Sequence, residues 1–141
     1  MKREVLLTIT GTQKYDDNDD NIELTTVGTI EELENHYLIK YKEEPEPPMR
    51  AISVSVKVAK DNNSVEVIRS GDVSSCLIVE KSKRNLCNYG TMYGDVLMGI
   101  YGKKIEFSID NNLGNLELEY DIDINGALSS INTLSMKIQN N

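Results

Sequence analysis

Arg69 is the residue whose position in the sequence most directly suggests chemistry. It follows Val65 and Val67 at intervals of two residues, and residues two apart in an extended chain point to the same side. Its guanidinium would therefore lie on an otherwise apolar face, where a charge must be paired or must bind a ligand. Two interpretations stay open. Either Arg69 pairs with a carboxylate such as Glu23 or Glu80, or it provides the positive centre that an anionic ligand needs.

Tyrosines are the second group of candidates for a binding site. The chain contains seven Tyr but one Phe and no Trp, so nearly every aromatic ring also carries a hydroxyl. Tyr89, Thr91 and Tyr93 alternate along one face of an extended segment that comes soon after Arg69. We therefore expect a ligand-binding site in the interior of a barrel. Its candidate residues are Arg69, Tyr89, Thr91 and Tyr93.

The remaining reactive residue types form no recognisable catalytic or metal-binding pattern. The acidic run from Asp16 to Asp20 lacks the glycine and the glutamate that an EF-hand loop needs, so we interpret it as a solvated loop. His36 is the single histidine and has no catalytic-triad partners at a suggestive spacing. One histidine and two cysteines are too few for a structural zinc site of the Cys/His kind. We predict no catalytic residues, no metal and no cofactor, and we expect the protein not to be an enzyme.

The two cysteines flank a segment with turn chemistry. Cys76 and Cys87 lie on either side of residues 81–85. If the turn centres between Lys81 and Ser82, the cysteines would face each other across a hairpin. In a reducing cytosol we expect both to remain thiols and to pack as small apolar side chains.

The overall charge restricts the partners of the protein. Fifteen Lys and Arg against twenty-three Asp and Glu give a net charge of −8. This charge opposes binding to nucleic acids and to anionic membranes. No apolar run is long enough for a signal peptide or a membrane span. We therefore expect a cytoplasmic protein with neither nucleic acid nor a membrane as its partner.

The elements that must position these residues are β-strands. Apolar and polar residues alternate in most of the chain, which is typical of strands that bury one face. The alternating segments cover residues 5–9, 22–30, 37–41, 52–58, 65–69, 76–78, 89–93, 105–109, 116–124 and 134–138. Turn-forming residues separate these segments, and no helical pattern persists for three turns. The sequence therefore predicts an antiparallel barrel or sandwich.

Two local features refine this prediction. Apolar residues are even-numbered from Val96 to Ile100 but odd-numbered from Ile105 to Ile109, which predicts a β-bulge or turn near Gly102 and Lys103. All three prolines lie in the segment 44–48, which we expect to be a loop because proline cannot pair inside a sheet.

Five short motifs occur in an order that resembles the YwiB-like proteins, a family of small bacterial proteins. They read NIELTTVG at 21–28, YLIKY at 37–41, IRSG at 68–71, YGTMYG at 89–94 and GNLELEY at 114–120. The resemblance covers essentially the whole chain. It implies an all-β fold, a meandering antiparallel calycin-like (lipocalin-like) β-barrel of about eight to ten strands, and it brings no assigned activity. We predict one such barrel domain over residues 1–141.

Two functions follow from this fold. The first is a barrel that binds a small molecule in its interior, since about eight strands leave just enough room for one. The second is a protein–protein interaction module whose interior is filled by side chains and holds no ligand. An open cavity of a few hundred Å³ would favour the first function. The chain is expected to be a monomer or a homodimer formed through a strand edge.

Overall fold

The protein is built from ten antiparallel β-strands. The computed structural model describes residues 2–15, 18–43, 51–71, 74–91, 94–110 and 113–141. The strands are β1 (Lys2–Tyr15), β2 (Asn18–Glu32), β3 (His36–Glu43), β4 (Ile52–Ala59), β5 (Ser64–Ser70), β6 (Ser75–Glu80), β7 (Arg84–Thr91), β8 (Gly94–Asp110), β9 (Leu113–Ile124) and β10 (Ala127–Asn140). The predicted all-β meander of about eight to ten strands is confirmed. None of the described residues forms a helix that could cross a membrane.

All ten strands belong to one sheet that nearly closes into a barrel. The strand order is β6-β5-β4-β3-β2-β1-β10-β9-β8-β7, so β6 and β7 lie at the two edges. The edges approach each other near Lys81, just after β6, whose backbone forms an isolated parallel β-bridge with Gly102 of β8. The Ser82 amide also donates to the Gly102 carbonyl at 2.8 Å. Gly102 permits this approach, because a Cβ there would collide with the carbonyl group of Glu80.

The up-and-down order of the strands gives the barrel two different ends. One end carries the connections after β2, β4, β6 and β8 together with the two chain termini, and we call it the base. The other end carries the connections after β1, β3, β5, β7 and β9, and we call it the rim. The interior of the base half and that of the rim half have different chemistry.

The base half of the interior is packed with aliphatic side chains. Its fully buried residues include Val5, Val58, Val65, Val79, Leu116 and Ile138. Tyr37 of β3 and Phe107 of β8 reach towards each other across this end, with ring centroids 5.0 Å apart. Each buried aliphatic side chain contributes about 1.5–3 kcal/mol to folding, so this half is the main source of stability.

The predicted β-bulge lies where the sequence indicated. The register of β8 against β9 shifts between Gly102 and Lys104. Ile100 and Ile105 are therefore both buried although one is even-numbered and the other odd-numbered. A second register shift occurs in β10, between Leu128 and Ser130.

Strand β6 differs from its sequence interpretation. The alternation suggested that Cys76 and Ile78 form the apolar face, but Val79 is fully buried and Leu77 packs on the core, whereas Cys76 and Ile78 are exposed. The hairpin that would have placed Cys76 opposite Cys87 is absent from the described residues, since β6 pairs with β5 and β7 pairs with β8. Both cysteines are free thiols, and burial raises the pKa of each.

Candidate functional site

The rim half of the interior contains the charged candidate of the sequence analysis. Arg69 lies on β5 with its side chain on the same inward face as buried Val65 and Val67, as predicted. Its partner across the ladder is Val54 of β4, and Val54 in turn lies opposite Tyr41 of β3. Tyr41, Val54 and Arg69 thus form one row across three strands, on the inside of the barrel.

Arg69 forms an ion pair with Glu43 at the end of β3. Its Nε donates a hydrogen bond to Oε1 of Glu43 at 2.9 Å. The side chains of the pair are 36% and 33% exposed, so solvent reaches both. A carboxylate pairs with Arg69, as one of the two predictions stated, but the expected partners Glu23 and Glu80 were wrong. Glu23 is exposed on β2, and Oε2 of Glu80 lies 3.8 Å from Nζ of Lys83.

The charge on Arg69 acts on the buried Tyr41 and the half-buried Tyr120. Burial lowers the pKa of Arg69, but the hydrogen bond that Arg69 donates to Glu43 and the negative charge of Glu43 outweigh this effect, so the net pKa is raised and the guanidinium stays charged. Burial raises the pKa of Tyr41 to about 12 and also raises that of Tyr120 of β9, while the Arg69 charge opposes both shifts. Arg69 therefore lies close to hydroxyls from opposite sides of the barrel.

The other predicted binding residues are only partly located. Tyr89 and Thr91 belong to β7, where they pair with Val96 and Gly94 of β8. Tyr93 lies outside the described residues. The described groups that interact with Arg69 come instead from β3 and β9. The grouping of Arg69 with Tyr89, Thr91 and Tyr93 stays a prediction.

A second polar group lies in the interior between β1 and β10. Ser130 and Asn132 are 3% and 5% exposed, and the Asn132 side-chain amide donates to Ser130 Oγ at 3.0 Å. Gln13 donates to the same oxygen at 3.3 Å. Sequence reasoning missed these residues, although Ser130 and Asn132 continue the alternation of the apolar segment that ends β10. The rim half is thus polar on two of its walls.

A cleft lies between β2 and β3 in the described structure. These strands pair over only four positions, from Thr29 opposite Lys40 to Glu32 opposite Tyr37. At Gly28 the strands are very close, since a Cβ there would collide with the Lys40 carbonyl and would lie 2.8 Å from Leu7 Cδ1. Beyond this point the ladder stops, although β2 stays paired with β1 and β3 stays paired with β4.

The gap between the strands forms a cavity of about 860 Å³. Its lining residues are Leu24, Thr25, Thr26, Val27, Gly28, Thr29, Lys40, Tyr41, Lys42, Ser53, Val54 and Ser55. Tyr41 and Val54 belong to the buried core, whereas Lys40, Lys42 and Ser53 are exposed. The cleft therefore runs from the outer surface of the sheet to the inward face, where it ends beside the row that contains Arg69.

This cleft was not predicted from the sequence. Tyr41, one of the lining residues, shares a face with Tyr37 in the alternating segment 37–41, but a shared face does not indicate a cavity. The point where two strands separate depends on their register and on the close contact at Gly28, neither of which has a sequence signal of its own. Among the described residues, no three or more His, Cys, Asp or Glu side chains group as metal ligands.

These features define the class of protein to which the chain belongs. It is a ten-stranded antiparallel meander, nearly closed into a barrel, with a lateral cleft that leads to a polar rim half. The chain belongs to the family described as a domain of unknown function, DUF1934, which it matches over residues 7–136.

The fold has a counterpart among solved structures. The crystal structure of the ywiB protein from Bacillus subtilis superimposes with a TM-score of 0.84, covering 99% of this chain and 93% of that one at 20% sequence identity. The resemblance to YwiB-like proteins is thereby confirmed at the level of the fold. A search of curated proteins found no significant match.

Proposed function

We propose that the protein binds a small molecule in the cleft between β2 and β3. The observation that carries this proposal is the cavity of about 860 Å³ that the two separated strands leave open. Cavities that bind small molecules in proteins span roughly 300–1,000 Å³. Strands β2 and β3 paired along their whole length would leave no such space, so the volume supports binding in this cleft.

The lining of the cleft also fits a binding site. Leu24, Val27 and Val54 provide apolar surface, and Thr25, Thr26, Thr29, Ser53 and Ser55 provide hydroxyls that donate and accept hydrogen bonds. Binding sites combine apolar surface with polar groups that orient the ligand, and this cleft offers both. None of the lining residues is His, Cys, Asp or Glu, and we propose on this ground a binding protein rather than an enzyme.

Arg69 has a supporting role in this proposal. Its guanidinium is engaged by Glu43, so the pair as a whole is close to neutral. Val54 lies directly between Arg69 and Tyr41, and Tyr41 lines the cavity. We propose that the ion pair fixes the wall of the cleft on which Tyr41 stands.

Native mass spectrometry of protein taken gently from cells tests the proposal. We expect the wild type to carry a small molecule that is lost when the cleft is filled by Thr26→Trp. Thr10→Trp is the control, because Thr10 is an exposed threonine of β1 outside the cleft. Retention of the same molecule by Thr26→Trp, or a wild type that never carries one, would contradict the proposal.

A second candidate function is protein binding through the edge of β2. Among the described residues, Asn18–Gly28 pair only with β1, and Ile22 on this stretch is 69% exposed. An unpaired edge can accept an extended segment of a partner as an added strand. Light scattering over a range of concentrations tests the homodimer version, which predicts a mass that rises with concentration and falls for Ile22→Lys.

A further inference from the structure

The outer mouth of the cleft carries two positive charges on one strand. Lys40 and Lys42 are two residues apart on β3, so both lie on its outer face. Lys40 lies opposite Thr29 on one side and Ser55 on the other, and Lys42 lies opposite Ser53. Lys40 thus has a hydroxyl-bearing neighbour on each adjacent strand, and Lys42 has one on β4.

Among the described residues, no carboxylate forms an ion pair with either ammonium group. Ion pairs within the described part of the chain involve six other cationic residues and neither Lys40 nor Lys42. None of the twelve residues that line the cavity is Asp or Glu, although the whole chain contains twenty-three. Glu43, which follows Lys42 in the chain, is paired with Arg69. In a protein of net charge −8, this cleft is a local positive site.

We propose that the ligand of the cleft is an amphipathic anion, with a carboxylate, sulfonate or phosphate group between Lys40 and Lys42 and an apolar body directed inward. The anionic group would accept charge-assisted hydrogen bonds from both ammonium groups and further hydrogen bonds from the hydroxyls of Ser53 and Ser55. The apolar body would contact Leu24 and Val54. This inference rests on the proposed function and adds the chemical class of the ligand.

The location of the positive centre differs from the expectation based on sequence. Arg69 was the expected partner of an anion, but its hydrogen bond to Glu43 leaves it less able to attract a second negative group. Lys40 and Lys42 are free of such competition among the described residues. Their position at the mouth also lets them attract an anion from solution, which a negatively charged protein otherwise repels.

Two dyes with the same aromatic body but different charge test this inference. Anilinonaphthalene sulfonate is an anion, and N-phenylnaphthylamine is neutral. We expect the wild type to bind the sulfonate about tenfold more tightly than the neutral dye. Lys40→Gln and Lys42→Gln should each weaken binding of the sulfonate severalfold and leave binding of the neutral dye unchanged.

Lys57→Gln is the matched control for the loss of one charge. Lys57 is also exposed on the outer face of the sheet, in β4, but it does not line the cavity. Its substitution should leave both affinities unchanged. Equal affinity of the wild type for the two dyes, or equal effects of all three lysine variants, would overturn the inference and leave the proposed function intact. Failure of both dyes to bind, or binding that Thr26→Trp does not reduce, would overturn both.

Discussion

The base half and the rim half of the barrel interior have opposite chemistry on the same ten strands. In the base half, aliphatic side chains such as Leu116 and Ile138 are fully buried, and the Tyr37 and Phe107 rings meet across the barrel. In the rim half, an ion pair and buried hydroxyls occupy equivalent inward positions. Stability and recognition are therefore separated along the barrel axis, so changes in one half should leave the other largely intact.

Truncation of a base-half leucine should have the largest effect on stability. Leu116 is fully buried, so Leu116→Ala leaves a cavity and should lower the free energy of unfolding by about 3 kcal/mol. Leu24→Ala, in the wall of the existing cleft, should cost less than about 1 kcal/mol because little packing is lost there. Urea unfolding measures both. Equal losses would show that the two halves are equally packed.

Substitution at the boundary between β2 and β3 should have the next largest effect. Gly28→Ala would place a methyl group against the Lys40 carbonyl, and we expect a loss of about 2 kcal/mol in urea unfolding. Gly11→Ala is the control, since its added Cβ would meet only the Thr133 carbonyl at 3.8 Å. A Gly28 variant as stable as the Gly11 variant would mean that the strands are free to move apart.

Removal of the Arg69 charge should have a smaller effect. Because both members of the pair are about one-third exposed, solvent screens the charge that remains, and Arg69→Met should cost about 1 kcal/mol. A double-mutant cycle with Glu43→Gln should give a coupling of similar size. Affinity for anilinonaphthalene sulfonate should fall less than in Lys40→Gln, because the wall that carries Tyr41 loses its ion pair whereas Lys40 and Lys42 stay intact. A loss of 3 kcal/mol or more would instead indicate that the pair is effectively buried.

The smallest of these effects should be the change in the free energy of unfolding at alkaline pH, which depends on Tyr41 in the rim half. The pKa of Tyr41 is about 12 in the folded protein because of burial, above the value of about 10 expected for the unfolded chain. The unfolded state therefore releases this proton first. The stability that the neutral hydroxyl contributes is complete below pH 10 and is lost as the pH rises towards 12. Tyr41→Phe should flatten this part of the stability profile, whereas an unchanged slope would place the Tyr41 hydroxyl in solvent.

Much of the fold was predictable because alternation is a direct consequence of strand geometry. The inward faces of β1, β2, β4 and β5 follow from the spacing of their apolar residues, and the change of parity after Ile100 located the bulge at Gly102. The prediction was wrong in β6, where both faces carry apolar residues and alternation gives no single answer. Burial there is decided by the neighbouring strands.

The site was less predictable because it depends on contacts between distant segments. The inward position of Arg69 followed from its spacing after Val67, but its partner Glu43 lies two strands away across β4. The distance between such residues is set by register, and a single sequence does not contain it. Similarly, the sequence does not distinguish Lys40 and Lys42 from other exposed lysines. They lie at the mouth of a cavity because β2 separates from β3.

An amide chemical-shift map of the protein with anilinonaphthalene sulfonate is the most direct test of whether the cleft between β2 and β3 binds the ligand. We predict shifts concentrated at Leu24–Thr29, Lys40–Lys42 and Ser53–Ser55, the three segments that line the cleft. The amides of Leu116 and Leu118 in the packed core should stay unchanged. Shifts centred on those core leucines, or spread evenly over the surface, would contradict an account in which the rim-side cleft recognises the ligand and the base only stabilises the fold.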